Sequence, residues 1–383
     1  MKFSYANPTV IHFGEGQIAK VRHSIPAHHR VLVAYGGGSV RQNGVLAQVL
    51  DALKGHHVAE FGGIEPNPHA ETLDRAVELV RAERLDYVLA VGGGSVADGC
   101  KYIAAAACHE GPGWDIVTRK HTITQALPLG VVLTLAATGS ESNGAAVITL
   151  AATRTKAAFM SPLVQPKFAV LDPATLATLP DRQLANGVVD AFVHVCEQYL
   201  TVTGEAWVQD GYAEALLRNL VKLAAQWERR REASWLANLM WTANQALNGL
   251  IGVGVPQDWA THALGHEITA CFGIDHARTL AIVQPSLLRE VLPAKEAKLA
   301  QMGRAVFGLE GTTPGQLAEA TIDALERLYR SVGVPVRLSE AGVTGEEAMS
   351  QLLTAVKAHG LDGLGETGML DAAACERVLR QAA

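Results

Sequence analysis

The first 180 residues alternate short apolar runs with longer amphipathic stretches. Apolar runs at 31–35, 58–61, 87–91 and 129–135 predict strands, and glycine stops the first and the third of them. Segments 45–53, 71–84 and 96–107 have helical patterns between those runs. Strands that alternate with helices pair in parallel through right-handed crossovers. We therefore predict an α/β domain with a Rossmann-like, mostly parallel sheet over residues 1–180.

The pattern changes at a segment that two prolines, Pro173 and Pro180, interrupt. Helical periodicity dominates beyond it, for example over 205–225, 233–247, 294–307 and 314–331, and strand-like runs almost vanish. We predict an all-helical second domain over residues 181–383.

Composition narrows the class of protein. Hydrophobic residues make up 49% of the 383 residues and charged residues 18%, which is typical of a well-buried globular chain. The net charge of −6 offers no basic field for nucleic acid. Five scattered cysteines without a C-x-x-C pair indicate reduced thiols. Because no apolar run approaches the roughly 20 residues that cross a bilayer, we expect a cytoplasmic protein without a membrane partner.

Two Gly-Gly-Gly-Ser loops each follow a predicted strand. In the second loop, Gly92, Gly94 and Ala97 form G-x-G-x-x-A between a strand and a helix. This pattern lets backbone amides approach a pyrophosphate, although a plain tight turn explains it too. The first loop has no acidic residue to grip an NAD ribose and carries Ser39 and Arg41 instead, which favours NADP(H) over NAD(H). An ordinary turn with a surface arginine is the alternative there.

Carboxylate and imidazole side chains recur at helical spacing in the second half. Asp190 with His194, and His262 with His266, lie four residues apart, so each pair shares a helix face. His276 follows ten residues after His266. These donors suit Fe²⁺ or Zn²⁺, and the sequence is not H-E-x-x-H, which weakens a metalloprotease reading. Spacing alone leaves open which three or four of the five residues are ligands.

Long motifs across the chain resemble one known family. GGGSVADGCK, TLAATGSESN, GVVDAFVH and the H-x-x-x-H with a third histidine are similar to the iron-containing (group III) alcohol dehydrogenases. FGGIEPNP and GVPQDWATHALGHE bring the chain closest to the NADPH-dependent aldehyde reductase and butanol dehydrogenase branch, the YqhD type. The resemblance implies a dehydroquinate-synthase-like architecture, a homodimer, and an active site in the cleft between the two domains.

The resemblance also implies roles for individual residues. Asp190, His194, His262 and His276 would bind the metal, and His266 would line the site. The cofactor-binding positions would be Gly37, Gly38, Ser39, Asn67, Gly93, Gly94, Ser95, Asp98, Thr134, Thr138, Asn143 and Lys156.

The leading hypothesis is reversible hydride transfer between NADP(H) and an aldehyde or primary alcohol, with Fe²⁺ or Zn²⁺ as Lewis acid. His266 would relay the proton as the catalytic residue. Two alternatives stay open. A hydrolase would use the same metal to activate water, which leaves the glycine loops without a cofactor. A non-catalytic nucleotide- or metal-binding protein would bind the cofactor without turnover.

Overall fold

The computed structural model describes residues 2–153, 155–201, 205–311 and 313–383. Its strands are β1 (Val10–Phe13), β2 (Arg30–Tyr35), β3 (His57–Phe61), β4 (Tyr87–Gly92), β5 (Leu129–Leu133), β6 (Ala145–Leu150), β7 (Thr155–Met160) and β8 (Phe168–Leu171). Its α-helices are α1 (Val21–Ser24), α2 (Ser39–Gln42), α3 (Val45–Ala52), α4 (Ala70–Glu83), α5 (Gly94–Ala106), α6 (Trp114–Val117), α7 (Asp181–Tyr199), α8 (Trp207–Ala225), α9 (Ala233–Ala246), α10 (Ala260–Phe272), α11 (His276–Glu290), α12 (Leu292–Phe307), α13 (Pro314–Ser331), α14 (Glu346–Ala358) and α15 (Ala372–Gln381).

Six of the strands form one parallel sheet in the order β1-β8-β5-β4-β2-β3. The inner strands β4, β5 and β8 are buried along their whole length, because helices cover both faces of a parallel sheet. The predicted strands are present, and the predicted α/β class is confirmed. The sequence prediction lacked β1, β8 and the antiparallel hairpin that β6 forms with β7.

The two glycine loops leave neighbouring strands of this sheet. β2 pairs with β4, with Tyr35 opposite Val91, so both loops start at the same edge. The chain runs from β2 outward to β3 and then returns to β4 on the other side of β2. Open α/β sheets bind their ligands at such a reversal of strand order.

Residue contacts divide the chain into two compact units. The α/β unit comprises residues 6–180 and 231–248, and the helical unit comprises residues 1–5, 181–230 and 249–383. This differs from a single boundary after residue 180, because α9 belongs with the sheet. Trp241 of α9 makes an edge-on ring contact with Phe13 at 5.4 Å, and Asn244 donates to Glu141 at 2.7 Å.

The helical unit packs its long helices around apolar side chains. α7 is buried from Leu184 to Tyr199, and α11 is buried from Ala277 to Leu288 apart from Arg278. The predicted helical character of this half is confirmed. Among the described residues, no helix combines the length and the hydropathy needed to span a membrane.

Candidate metal centre and nucleotide loops

The second glycine loop is closely packed where β4 becomes α5. A Cβ atom on Gly94 would overlap the side chain of Thr138, so only glycine fits there. Thr134 follows β5 and donates its backbone N–H to the Gly92 carbonyl at 2.9 Å. The start of α5 leaves backbone N–H groups and the positive end of the helix dipole at this loop. The loop therefore has the shape and polarity that a pyrophosphate needs.

Three predicted cofactor residues converge beside this loop. The Lys156 ammonium donates to Asn67 Oδ1 at 2.9 Å, and the Asn67 N–H donates to Ser95 Oγ at 3.3 Å. Asn67 has a φ of 56°, a left-handed conformation that asparagine tolerates better than most residues. The structure thus brings together residues that lie far apart in the sequence.

Asp98 and Asn143 make contacts within the protein. Asp98 accepts hydrogen bonds from Ser140 Oγ at 2.5 Å and from the Val147 N–H at 2.9 Å. Asn143 donates to the carbonyls of Gly139 and Leu247, at 3.0 and 3.1 Å. These two predicted cofactor residues shape the segment that follows β5.

The first glycine loop turns through Gly38, whose φ of 105° favours glycine. Gly37 and Ser39 are exposed there. Arg41 forms an ion pair with Glu60 of β3 at 2.8 Å, and its Nε donates to the Tyr35 hydroxyl at 3.0 Å. The sequence-based preference for NADP(H) used the charge of Arg41. In the structure this charge is paired with the Glu60 carboxylate, which the sequence prediction did not include.

The predicted metal ligands of the helical unit lie on α7, α10 and the first residue of α11. Ligand atoms of Asp190, His194 and His262 all lie within 4.8 Å of one another. Asp190 Oδ1 is 3.8 Å from His194 Nε2 and 3.8 Å from His276 Nε2. The rings of His262 and His276 are 5.1 Å apart. All four predicted ligands therefore meet in one cluster.

The donor set fits a divalent metal ion. The Asp190 side chain is 3% exposed, and its Oδ1 accepts no hydrogen bond within the described part of the chain. A buried carboxylate oxygen is costly unless a cation or a donor satisfies it. Ligands at about 2.0–2.2 Å from one ion stand roughly 3.5 Å apart, close to the separations found here.

Glu197 contacts the ring nitrogen of His262 that is not directed to the cluster. Its carboxylate contacts His262 Nδ1 and accepts the backbone N–H of Thr261 at 2.7 Å. A carboxylate on Nδ1 fixes the tautomer that leaves Nε2 available for a metal. The sequence prediction missed Glu197, although it follows His194 by three residues on the same face of α7.

Two further side chains border the cluster. The ring of His266 lies 5.2 Å from that of His276 and 6.1 Å from that of His262, and the residue is partly buried. Trp259 makes an edge-on contact with His262 at 5.3 Å and has a φ of 63°. A bulky residue in the left-handed region is strained, and such strain is concentrated at functional sites. No local pattern in the sequence singles out Trp259.

A glycine-rich loop between a strand and a helix, and a cluster of one carboxylate and three imidazoles, are typical of an oxidoreductase that uses a nucleotide and a metal ion. Residues 8–173 match the family model described as iron-containing alcohol dehydrogenase, and residues 184–365 match the C-terminal part of the Fe-containing alcohol dehydrogenase family. The chain belongs to the iron-containing alcohol dehydrogenase family.

Individual relatives support the predicted branch. The chain is 52% identical over 368 residues to the NADPH-dependent aldehyde reductase YqhD of Escherichia coli, which covers 95% of each protein. It is 40% identical to a probable NADH-dependent butanol dehydrogenase of Bacillus subtilis, over 90% of this chain and 91% of the relative. A crystal structure of E. coli YqhD matches with a TM-score of 0.97 and 49% identity, over 100% of this chain and 99% of the other.

These comparisons confirm the predicted family, its YqhD-type branch and the class of alcohol dehydrogenase or aldehyde reductase. The fold is consistent with the dehydroquinate-synthase-like architecture. The family uses a nicotinamide dinucleotide and a divalent metal ion, and aldehydes or alcohols fit it as small-molecule substrates.

Proposed function

We propose that this protein reduces aldehydes with NADPH and, in reverse, oxidises primary alcohols with NADP⁺. The observation that carries the proposal is the buried Asp190 oxygen with two imidazole nitrogens 3.8 Å away, in a chain that also carries two glycine loops. The preference for NADP(H) is supported by the first loop, which carries Ser39 and has no acidic residue between Val31 and Val40, and by the name of the relative that is 52% identical.

In this proposal Asp190, His194, His262 and His276 hold Fe²⁺ or Zn²⁺. When bound, the ion supplies a Lewis acid for the aldehyde carbonyl, and the reduced nicotinamide supplies the hydride. Glu197 keeps the Nε2 atom of His262 directed to the ion. The cofactor residues Gly37, Gly38, Ser39, Asn67, Gly93, Gly94, Ser95, Asp98, Thr134, Thr138, Asn143 and Lys156 bind or shape the dinucleotide site.

His266 is the proton carrier in this proposal. Its ring stands next to those of His262 and His276, so it can deliver a proton near the reacting oxygen, directly or through water. We expect His266→Ala to lower kcat while the purified protein keeps its metal. Loss of the metal in that variant would make His266 a ligand or a structural support instead.

The decisive experiment follows the nicotinamide absorbance when protein reloaded with Fe²⁺ or Zn²⁺ is mixed with an aldehyde and either NADPH or NADH. We expect turnover with either metal and no turnover in the apoprotein. The kcat/KM should be higher for NADPH than for NADH. Asp190→Asn should abolish turnover because it removes the buried charged ligand. Lack of turnover with every aldehyde in the reloaded protein would favour the hydrolase or the non-catalytic alternative.

The proposal includes a cytoplasmic homodimer. The scattered cysteines support the compartment, and the homodimer is what the resemblance to the family implies. Light scattering during gel filtration measures the mass in solution, and a monomer at micromolar concentration would contradict the homodimer.

A further inference from the structure

A buried lysine lies two turns into the helix that starts at the second glycine loop. The side chain of Lys101 is fully buried in the α/β unit. Its ammonium donates to Ser140 Oγ at 2.8 Å, to Asn143 Oδ1 at 3.1 Å and to the Ala145 carbonyl at 2.6 Å. A buried charge is tolerated only when its hydrogen bonds are satisfied, and three acceptors match the three donors of an ammonium group.

The hydrogen bonds around Lys101 require its charged form. Ser140 Oγ donates its proton to Asp98 Oδ1, so it can only accept from Lys101. The carbonyl of Ala145 is also only an acceptor. A neutral amine has two N–H groups and would leave one of the three acceptors without a donor. The charges that face Lys101 are those of Asp98 on its own helix and Glu141 in the following segment.

The segment that Lys101 holds, residues 138–147, carries predicted cofactor residues. Thr138 packs against Gly94 at the second glycine loop. The segment leads into β6, which pairs with β7 and places Thr149 opposite Lys156. Lys156 in turn donates to Asn67. A shift of this segment would therefore move the cofactor residues on both sides of the loop.

We propose that Lys101 is a positioning residue for the dinucleotide: with Asp98, it fixes segment 138–147 against the second glycine loop. Lys101 itself makes no contact with the cofactor in this proposal. The inference rests on the proposed function, since it presumes that the loop binds NADPH.

The protonation of Lys101 makes the proposal testable by pH. Burial lowers the pKa of Lys101 to about 8, and the charges of Asp98 and Glu141 oppose that shift without cancelling it. The ammonium form, with all three hydrogen bonds, is therefore present below this pKa and lost above it. Burial raises the pKa of Asp98 and of Glu141, and the charge of Lys101 opposes that rise in both carboxylates.

The experiment measures the Kd of NADPH, by nicotinamide fluorescence, in the metal-loaded full-length protein from one pH unit below to one above that pKa. The variants are Lys101→Met, Lys101→Arg and Ser140→Ala, and exposed Lys120→Met is the matched control. We expect the Kd of the wild type to rise about 2–10-fold across the window, as for one lost hydrogen bond. Lys101→Met should bind NADPH about tenfold more weakly than the wild type at the lower pH. Its Kd should not show the pH dependence of the wild type. Lys101→Arg should restore part of the affinity.

The metal content and the KM for the aldehyde should stay within twofold of the wild type in all variants. If Lys101→Met does not fold, Ser140→Ala replaces it in the test, because this variant removes the hydroxyl between Lys101 and Asp98. An about 2–10-fold higher Kd of NADPH in Ser140→Ala would then support the inference. An unchanged Kd in folded Lys101→Met, or an unchanged pH dependence, would overturn the inference. Failure of the wild type itself to bind NADPH would instead refute the proposed function.

Discussion

Replacing Glu197 with glutamine tests whether the metal centre depends on the carboxylate behind His262. The Glu197 side chain is 4% exposed, and one of its oxygens accepts the N–H groups of Thr261 and His262, at 2.7 and 3.2 Å. The other oxygen contacts His262 Nδ1. Glutamine has the same shape, so packing is preserved while the charge and one acceptor are lost.

Neither orientation of the glutamine amide suits a metal-bound His262. With its NH₂ group toward Nδ1, the imidazole must accept there, which places its proton on Nε2 and blocks metal binding. With the NH₂ group toward the backbone, the amide faces the N–H groups of Thr261 and His262, donor against donor. A charged hydrogen bond contributes about 1.5–3 kcal/mol, and 1.4 kcal/mol corresponds to a tenfold change, so metal affinity should fall about 10–100-fold.

The assay is a competition between the apoprotein and a chelator of known Zn²⁺ affinity. Glu214→Gln is the matched control, because Glu214 is a partly buried carboxylate that accepts from Tyr199 at 2.9 Å and does not touch the metal ligands. We expect the control to bind Zn²⁺ as the wild type does. If folded Glu197→Gln also binds Zn²⁺ within about threefold of the wild type, Glu197 does not set the tautomer of His262 and the reasoning is wrong.

Three further predictions concern other parts of the two sites. Trp259→Ala should raise kcat/KM for bulky aldehydes relative to short ones by about tenfold in a substrate series, because the indole ring packs beside His262. Ser39→Asp should lower the ratio of kcat/KM for NADPH to that for NADH by at least about tenfold, since a carboxylate repels a 2′-phosphate. Glu366→Gln should lower the unfolding free energy by about 2 kcal/mol in denaturant titrations, because Glu366 is 1% exposed and pairs with buried Lys295 at 3.0 Å, while Asp258 remains as a second partner of that lysine.

Elements with a strong local pattern were predictable from the sequence. The helix Pro314–Ser331 matches its predicted bounds, because Thr313 caps it and proline occupies its first position. β1 and β8 are four residues long, too short for a periodic signal: β8 forms beside the longer β5, and β1 forms beside β8 at the edge of the sheet. The place of α9 in the α/β unit also depends on tertiary contacts, since its apolar pattern resembles that of any buried helix.

The residue types of the metal centre were predictable, but its geometry was not. Helical spacing predicts that Asp190 and His194 share one helix face, and that His262 and His266 share another. Whether His276 reaches the same cluster depends on the turn between α10 and α11, where Gly273 has a φ of 68°. Spacing along one helix carries no information about that turn.

The metal centre and the second glycine loop share one feature. In each, a buried charged residue about two turns along the same helix holds a neighbouring segment in place. On α7, Asp190, His194 and Glu197 are four and then three residues apart; on α5, Gly94, Asp98 and Lys101 have the same spacing. This spacing keeps the three residues on one helix face, so the third can hold the segment that faces the first. Glu197 reaches residues 64 and 65 positions away, and Lys101 reaches residues 39 to 44 positions away. The local sequence pattern does not identify these partners. A charged residue within a buried helix nevertheless indicates that a partner exists, because an unpaired buried charge would be too costly.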